Sequence, residues 1–166
     1  MKKLKSYYGL FLLIVISVLF FSSRTVKEEK ALIPAERMFK SITAYADTFN
    51  VPLYIAFNVA TIESSYRGPK DSTYKHNVVS KAGAVGPMQI MPKYASWFAG
   101  KPVKRKELKD SIELNVWLSM KILNHLYEKH GDWVKALGAY NTGKPVINKY
   151  ARKGSDPQFY QTIWIE

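Results

Sequence analysis

The 166-residue chain is 47% hydrophobic and 14% aromatic, enough to bury one core, and one folded domain is the natural count. It has no cysteine, which excludes disulfides, a thiolate metal site, a thiol nucleophile and a lipid-modified N-terminal cysteine. A net charge of +12 favours an anionic partner such as nucleic acid, lipid headgroups or an acidic polymer.

Residues 1–24 read as a unit of their own. Lys2, Lys3 and Lys5 precede an apolar run from Tyr7 to Phe21, which closes with Ser22-Ser23-Arg24. The lysines predict that this end stays in the cytoplasm and that the remainder is exported. A helix from Tyr7 to Ser23 spans roughly 25 Å, a little short of the ~30 Å hydrocarbon core. Two readings stay open, a cleaved signal peptide and an uncleaved signal anchor. Cleavage prefers small residues, and a cut after Ser23 puts Phe21 at a position that wants one, so the anchor is favoured. The expected location is the bacterial inner membrane, single-pass, with the domain on the periplasmic side, or secretion if the segment is cleaved. Residues 25–33 read as a charged spacer and 34–166 as the domain. Four of the 25 basic residues (Lys2, Lys3, Lys5, Arg24) belong to or flank the first segment, leaving 21 against 13 acids, or +8. Those cations are dispersed and no nucleic-acid motif accompanies them, so no nucleic-acid partner is expected.

In the domain, Pro34 suits a helix N1 position, and Met38, Phe39, Ile42, Tyr45, Ala46 and Phe49 predict an amphipathic helix ending at Asn50. Pro52 opens the next. Residues 53–62 (Leu-Tyr-Ile-Ala-Phe-Asn-Val-Ala-Thr-Ile) leave little polar surface and predict a buried helix. Its one acid, Glu63, comes where the run gives out into Ser-Ser-Tyr-Arg-Gly-Pro. A partly desolvated carboxyl there holds its proton near neutrality and can donate it. The bland reading is a helix-terminal Glu paired with a nearby Lys or Arg. Residues 67–86 lack helical periodicity and predict turns with one or two short strands, in a loop long enough to suggest function. In Gly83-Ala84-Val85-Gly86-Pro87-Met88-Gln89-Ile90-Met91-Pro92 the glycines allow close approach of a ligand to the backbone. Gln89 can donate and accept, as an N-acetyl amide requires, and Met88 and Met91 offer soft apolar contact.

A short helix from Pro92 through Trp97-Phe98 and a basic surface loop from Lys101 follow. Asp110 is the predicted N-cap, with Glu113 at N3, of a long helix that Gly131 stops. Asp132 caps a helix over Trp133–Tyr140, and short helices are expected at 145–152 and 157–163. His76, His125 and His130 lack metal-ligand spacing, so no metal is expected. Trp97, Trp117 and Trp133 read as core. Tyr66 and Tyr94 read as sugar platforms or as packing.

Three pieces now stand in order: Glu63-Ser64-Ser65-Tyr66, then Ser80-Lys81-Ala82-Gly83-Ala84-Val85-Gly86-Pro87-Met88-Gln89-Ile90-Met91-Pro92, then Ala136-Leu137-Gly138-Ala139-Tyr140-Asn141-Thr142-Gly143. Together they strongly resemble the catalytic domain of the soluble lytic transglycosylase (SLT) family. Asp110 to Asn115 also looks like that family's Asp-x-x-x-x-Asn lead into its long helix. The resemblance covers roughly residues 35–153. It implies a mainly α, lysozyme-like (α+β) fold, with a small irregular or β excursion between the Glu63 helix and the GxxGPMQIMP turn. It implies that Glu63 is the sole catalytic acid and base, that Ser80 contacts substrate near the cleaved bond, that Gln89 and Met91 line the glycan groove, and that Tyr140 lies near the carboxylate. Met88 and Asn141 are expected to bind substrate beside them. Asn115 and Asn141 match positions of mainly structural role. The chain departs from the family at Pro87, where Leu is usual, and at Ser119, where Gly is common.

The implied reaction is non-hydrolytic cleavage of the β-1,4 bond between N-acetylmuramic acid and N-acetylglucosamine, leaving a 1,6-anhydro end, with no cofactor. The implied partner is the peptidoglycan strand; the N-terminal segment adds the membrane, and the anchor and small size suggest a larger envelope-spanning assembly. One alternative is lysozyme-type hydrolysis, with Asp71 to position water. Another is an inactive membrane-tethered scaffold that binds peptidoglycan.

Overall fold

A computed structural model describes residues 31–164. The anticipated signal or anchor, residues 1–24, lies outside the described residues, as do residues 25–30 of the spacer. Among the described residues no helix is long and apolar enough to cross a membrane.

Eight helices make up the described domain: α1 (Pro34–Thr48), α2 (Leu53–Ser64), α3 (Pro92–Ala99), α4 (Arg105–Asp110), α5 (Ile112–His130), α6 (Trp133–Thr142), α7 (Lys149–Gly154) and α8 (Pro157–Trp164). The mainly α class holds. Pro34 sits in the first turn of α1, and Glu36 turns back to accept the Ile33 N–H at 2.9 Å. Ala35, Met38, Ile42 and Ala46 face the core at helical spacing. The helix stops two residues before the expected Asn50, which takes a left-handed φ of 52° and starts the turn into α2.

Every residue of α2 from Ile55 to Ala60 is buried, as its apolar run requires. It packs against α1, α7 and α8. Ser65 ends it in the left-handed region at φ 58°, with its N–H on the Thr61 carbonyl. Tyr66 then dives into the core, fully buried, and its hydroxyl donates to the Ala35 carbonyl at 2.8 Å. Of its two readings, packing is the one observed.

The excursion between α2 and α3 contains two isolated antiparallel bridges, Val79 with Val85 and Val85 with Ile90, in place of the expected strands. Its anchor is Asn115 on α5. The Asn115 amide donates to the Val85 and Leu108 carbonyls, each at 2.9 Å, and accepts the Met88 N–H at 2.8 Å. Gly86 (φ 80°) passes so close that a Cβ there would collide with the Asn115 amide.

Two expectations around α5 are corrected. Part of the basic stretch after Lys101 is helical, because Leu108 supplies a buried anchor that pulls Arg105–Asp110 into a turn of helix. Asp110 therefore ends α4 and pairs with Lys106 at 2.8 Å, and Ser111 is the N-cap of α5, accepting the Leu114 N–H. Glu113 does not close a capping box. It takes a two-pronged bond from Arg37 at 2.9 and 2.7 Å, which ties α1 to α5. Asp132 caps α6 as expected, through the Lys135 N–H at 2.8 Å. Residues 145–148 are irregular and only 149–154 are helical, started by Asn148, whose Oδ1 accepts the Ala151 N–H.

Candidate active site

The apolar body of α2 carries Glu63 to the edge of the core, where the side chain is only partly exposed. Its Oε1 accepts a 2.7 Å hydrogen bond from the Tyr150 hydroxyl on α7. Burial raises the Glu63 pKa, the Tyr150 bond lowers it, and the balance stands at about 7. The ion pairs among the described residues are Arg37–Glu113, Lys106–Asp110 and Lys109–Asp110, and Glu63 is in none of them. The bland reading of a surface-paired glutamate therefore fails at this position.

Tyr140 on α6 is also close. Burial pushes its hydroxyl pKa up, and the Glu63 charge pushes it further the same way. The hydroxyl is bonded elsewhere, donating to the Met88 carbonyl at 2.7 Å and lying 2.8 Å from the Ser119 hydroxyl. Ser119, where a glycine is common in the family, thus supplies a polar partner that holds Tyr140 in place. The residue on the carboxyl is Tyr150, which sequence reasoning missed. It lies 87 positions from Glu63 in a short helix with no distinctive spacing, so only the packing of α7 on α2 brings the two together.

A cleft of about 520 Å³ reaches Tyr140, lined among others by Gln89, Met91, Tyr94, Trp97 and Asn141. Glu63 is not on its lining. Tyr140 links the two, lining the cleft and feeling the Glu63 charge. Gln89 holds a left-handed φ of 51°, and its amide N–H groups turn onto its own loop, to the Gly86 carbonyl at 2.8 Å and towards Val78 at 3.4 Å. Asn141 is exposed, and its Oδ1 accepts from Asn148 at 3.2 Å. Ser80 is half-buried and outside the cleft lining. Its Oγ accepts the Ala84 N–H at 3.0 Å, so it closes the turn between the bridged Val79 and Val85.

Two readings of side chains are corrected here. Met88, expected to touch substrate, has no exposed surface. The bonds that fix its backbone, to Asn115 and Tyr140, turn its thioether into the core. Trp97, expected in the core, is 68% exposed and lines the cleft, with its edge against Phe98 and His125. The eight-residue α3 buries only Ala95, so its aromatic side chains are left to the cleft. Trp117 and Trp133 do pack against the core. Asp71 accepts both the N–H and the hydroxyl of Thr73 in a local turn, and these bonds hold its pKa below the usual carboxylate range. Among the described residues no group of three or more His, Asp or Glu side chains is placed to hold a metal ion.

A mainly helical domain with a shielded carboxyl at the end of a buried helix is consistent with the lysozyme-like class. The comparison with protein families is in accord. Residues 40–163 match the Transglycosylase SLT domain, and the chain belongs to that family. No curated protein matches the chain.

Proposed function

We propose that the domain is a peptidoglycan lytic transglycosylase in which Glu63 acts first as acid and then as base. The observation that carries the reading is the Glu63 carboxyl itself: shielded, unpaired with any cation among the described residues, and held by one tyrosine hydroxyl. A single group that must give up a proton and take another in one turnover works best with a pKa near the working pH. Burial favours the protonated form that starts the reaction. The Tyr150 bond favours the carboxylate that forms midway.

In this mechanism Glu63 protonates the glycosidic oxygen between N-acetylmuramic acid and N-acetylglucosamine. The substrate's 2-acetamido group stabilises the cationic carbon. The Glu63 carboxylate then removes the proton from the C6 hydroxyl of the same sugar, whose oxygen closes the 1,6-anhydro ring. That nucleophile is already attached, so its effective concentration is high and no activated water is needed. The cleft is the glycan groove in this reading. Met91, Tyr94 and Trp97 offer apolar faces, Asn141 and the Gln89 carbonyl oxygen offer polar contacts, and Tyr140 stands between groove and acid. Ser80 and Met88 serve by holding the excursion and Tyr140 in shape.

Hydrolysis of the same bond requires a carboxylate to position water, and Asp71 is already engaged with Thr73. Residues 1–24 are proposed to tether or export the domain (34–166) through the spacer (25–33). The small domain would then open the wall locally for a larger assembly. Fragments released from purified peptidoglycan, separated and weighed by mass spectrometry, test the activity. The expected result is anhydro-ended fragments from the wild-type protein and none from Glu63→Gln. Reducing ends make it a hydrolase, and no release at all makes it a binding or scaffold protein.

A further inference from the structure

Asn58 is fully buried in the apolar body of α2. A primary amide is costly there unless its hydrogen bonds are remade. Only its donor side is satisfied: Nδ2 donates to the Gly154 carbonyl at 3.1 Å and the Asp156 carbonyl at 2.9 Å, while Oδ1 has no partner. The orientation follows from the contacts, since the reversed amide would set its oxygen against two carbonyls. Gly154 is the last residue of α7, where helix carbonyls lack intrahelical partners. Asn58 therefore caps α7 from another helix.

That cap matters because α7 has only six residues, too few to hold a helix without tertiary support. Tyr150, one turn before Gly154, bonds Glu63, which lies five positions after Asn58 on α2. The catalytic helix thus grips α7 at two points. The same stretch is packed without slack on α6. A Cβ on Gly138 would collide with the Val146 carbonyl, and one on Gly154 would come within 3.2 Å of Leu137.

We infer that Asn58 is a positioning residue: by capping α7 it fixes the Tyr150 hydroxyl on the Glu63 carboxyl. Its part in turnover rests on the proposed role of Glu63, whereas its effect on the Glu63–Tyr150 contact does not. The test is a double-mutant cycle of Asn58→Leu and Tyr150→Phe in the full chain, with two readouts. The first is the titration midpoint of Glu63, followed by NMR with carboxyl-labelled glutamate and no substrate. The second is the rate of glycan release. Asn58→Leu is expected to move the midpoint by about half a pH unit or more, and to lower kcat ~10-fold with KM held within ~2-fold. In the Tyr150→Phe background the same change is expected to move the midpoint by less than about 0.2 unit and kcat by less than ~2-fold.

A wild-type midpoint in Asn58→Leu overturns the inference, and so does a shift of equal size with and without the Tyr150 hydroxyl. A midpoint that moves as expected in a protein that cleaves no glycan sinks the proposed function and leaves the positioning role standing. Asn58→Ala, smaller and free of clashes, is the second variant. If neither variant folds, Asn58 holds the whole core rather than α7, and the inference fails.

Discussion

At Glu63, burial and a hydrogen bond pull in opposite directions, and burial wins. A carboxyl whose folded pKa is raised to about 7 binds its proton more tightly folded than unfolded. The folded state holds the extra proton between the ordinary carboxylate range and about 7. Stability therefore falls as pH rises through that window and is flat above it. Glu63→Gln removes this cost. With partial exposure discounted, the variant is expected to be more stable than wild type by on the order of 1–2 kcal/mol near pH 8, with no gain near pH 4. Urea melts at the two pH values check this. A variant less stable than wild type near pH 8 would show that the carboxyl is not shielded. Tyr150→Phe keeps the ring and deletes the donor that favours the charged form, so the Glu63 pKa should rise further. The basic limb of the pH–rate profile should then move to higher pH, with kcat down roughly 10–100-fold. An unmoved limb would separate Tyr150 from the acid.

At the scale of elements, the domain depends on how one long helix disciplines an irregular loop. Asn115 on α5 holds three backbone groups of the excursion and α4, all out of water. Asn115→Ala strands them and is expected to cost about 2–4 kcal/mol, read from urea denaturation. Gly86→Ala attacks the same contact from the other side, combining a left-handed φ with a collision on the Asn115 amide, and should cost a similar amount. A loss below about 1 kcal/mol in both would mean that the loop is held by something else. On α3 the opposite is expected. Trp97 is mostly exposed, so Trp97→Ala should leave stability within about 0.5 kcal/mol while raising KM for glycan several-fold. Unchanged KM would remove Trp97 from the groove. The helices were legible because their signals are local: Pro34 at a start, Asp132 at a cap, six consecutive buried positions in α2. The errors fell where a distant partner decides. Arg37 takes Glu113 away from a capping box, Leu108 folds part of a basic loop, and Met88 is turned inward by bonds from α5 and α6.

Over the whole molecule, the candidate site is assembled from segments far apart in sequence. Glu63 and Tyr140 are legible in the sequence because they sit in motifs whose order and spacing are distinctive. Tyr150 and Asn58 carried no such mark, since each matters only once α7 lies against α2. In the proposed mechanism one carboxyl carries both proton transfers and no water enters the product. Digestion of purified peptidoglycan in heavy-oxygen water tests it most directly. The expected fragments are one water lighter than hydrolysis products, with no heavy oxygen at the new muramic end. Heavy oxygen incorporated at that end as the bond breaks would contradict the mechanism.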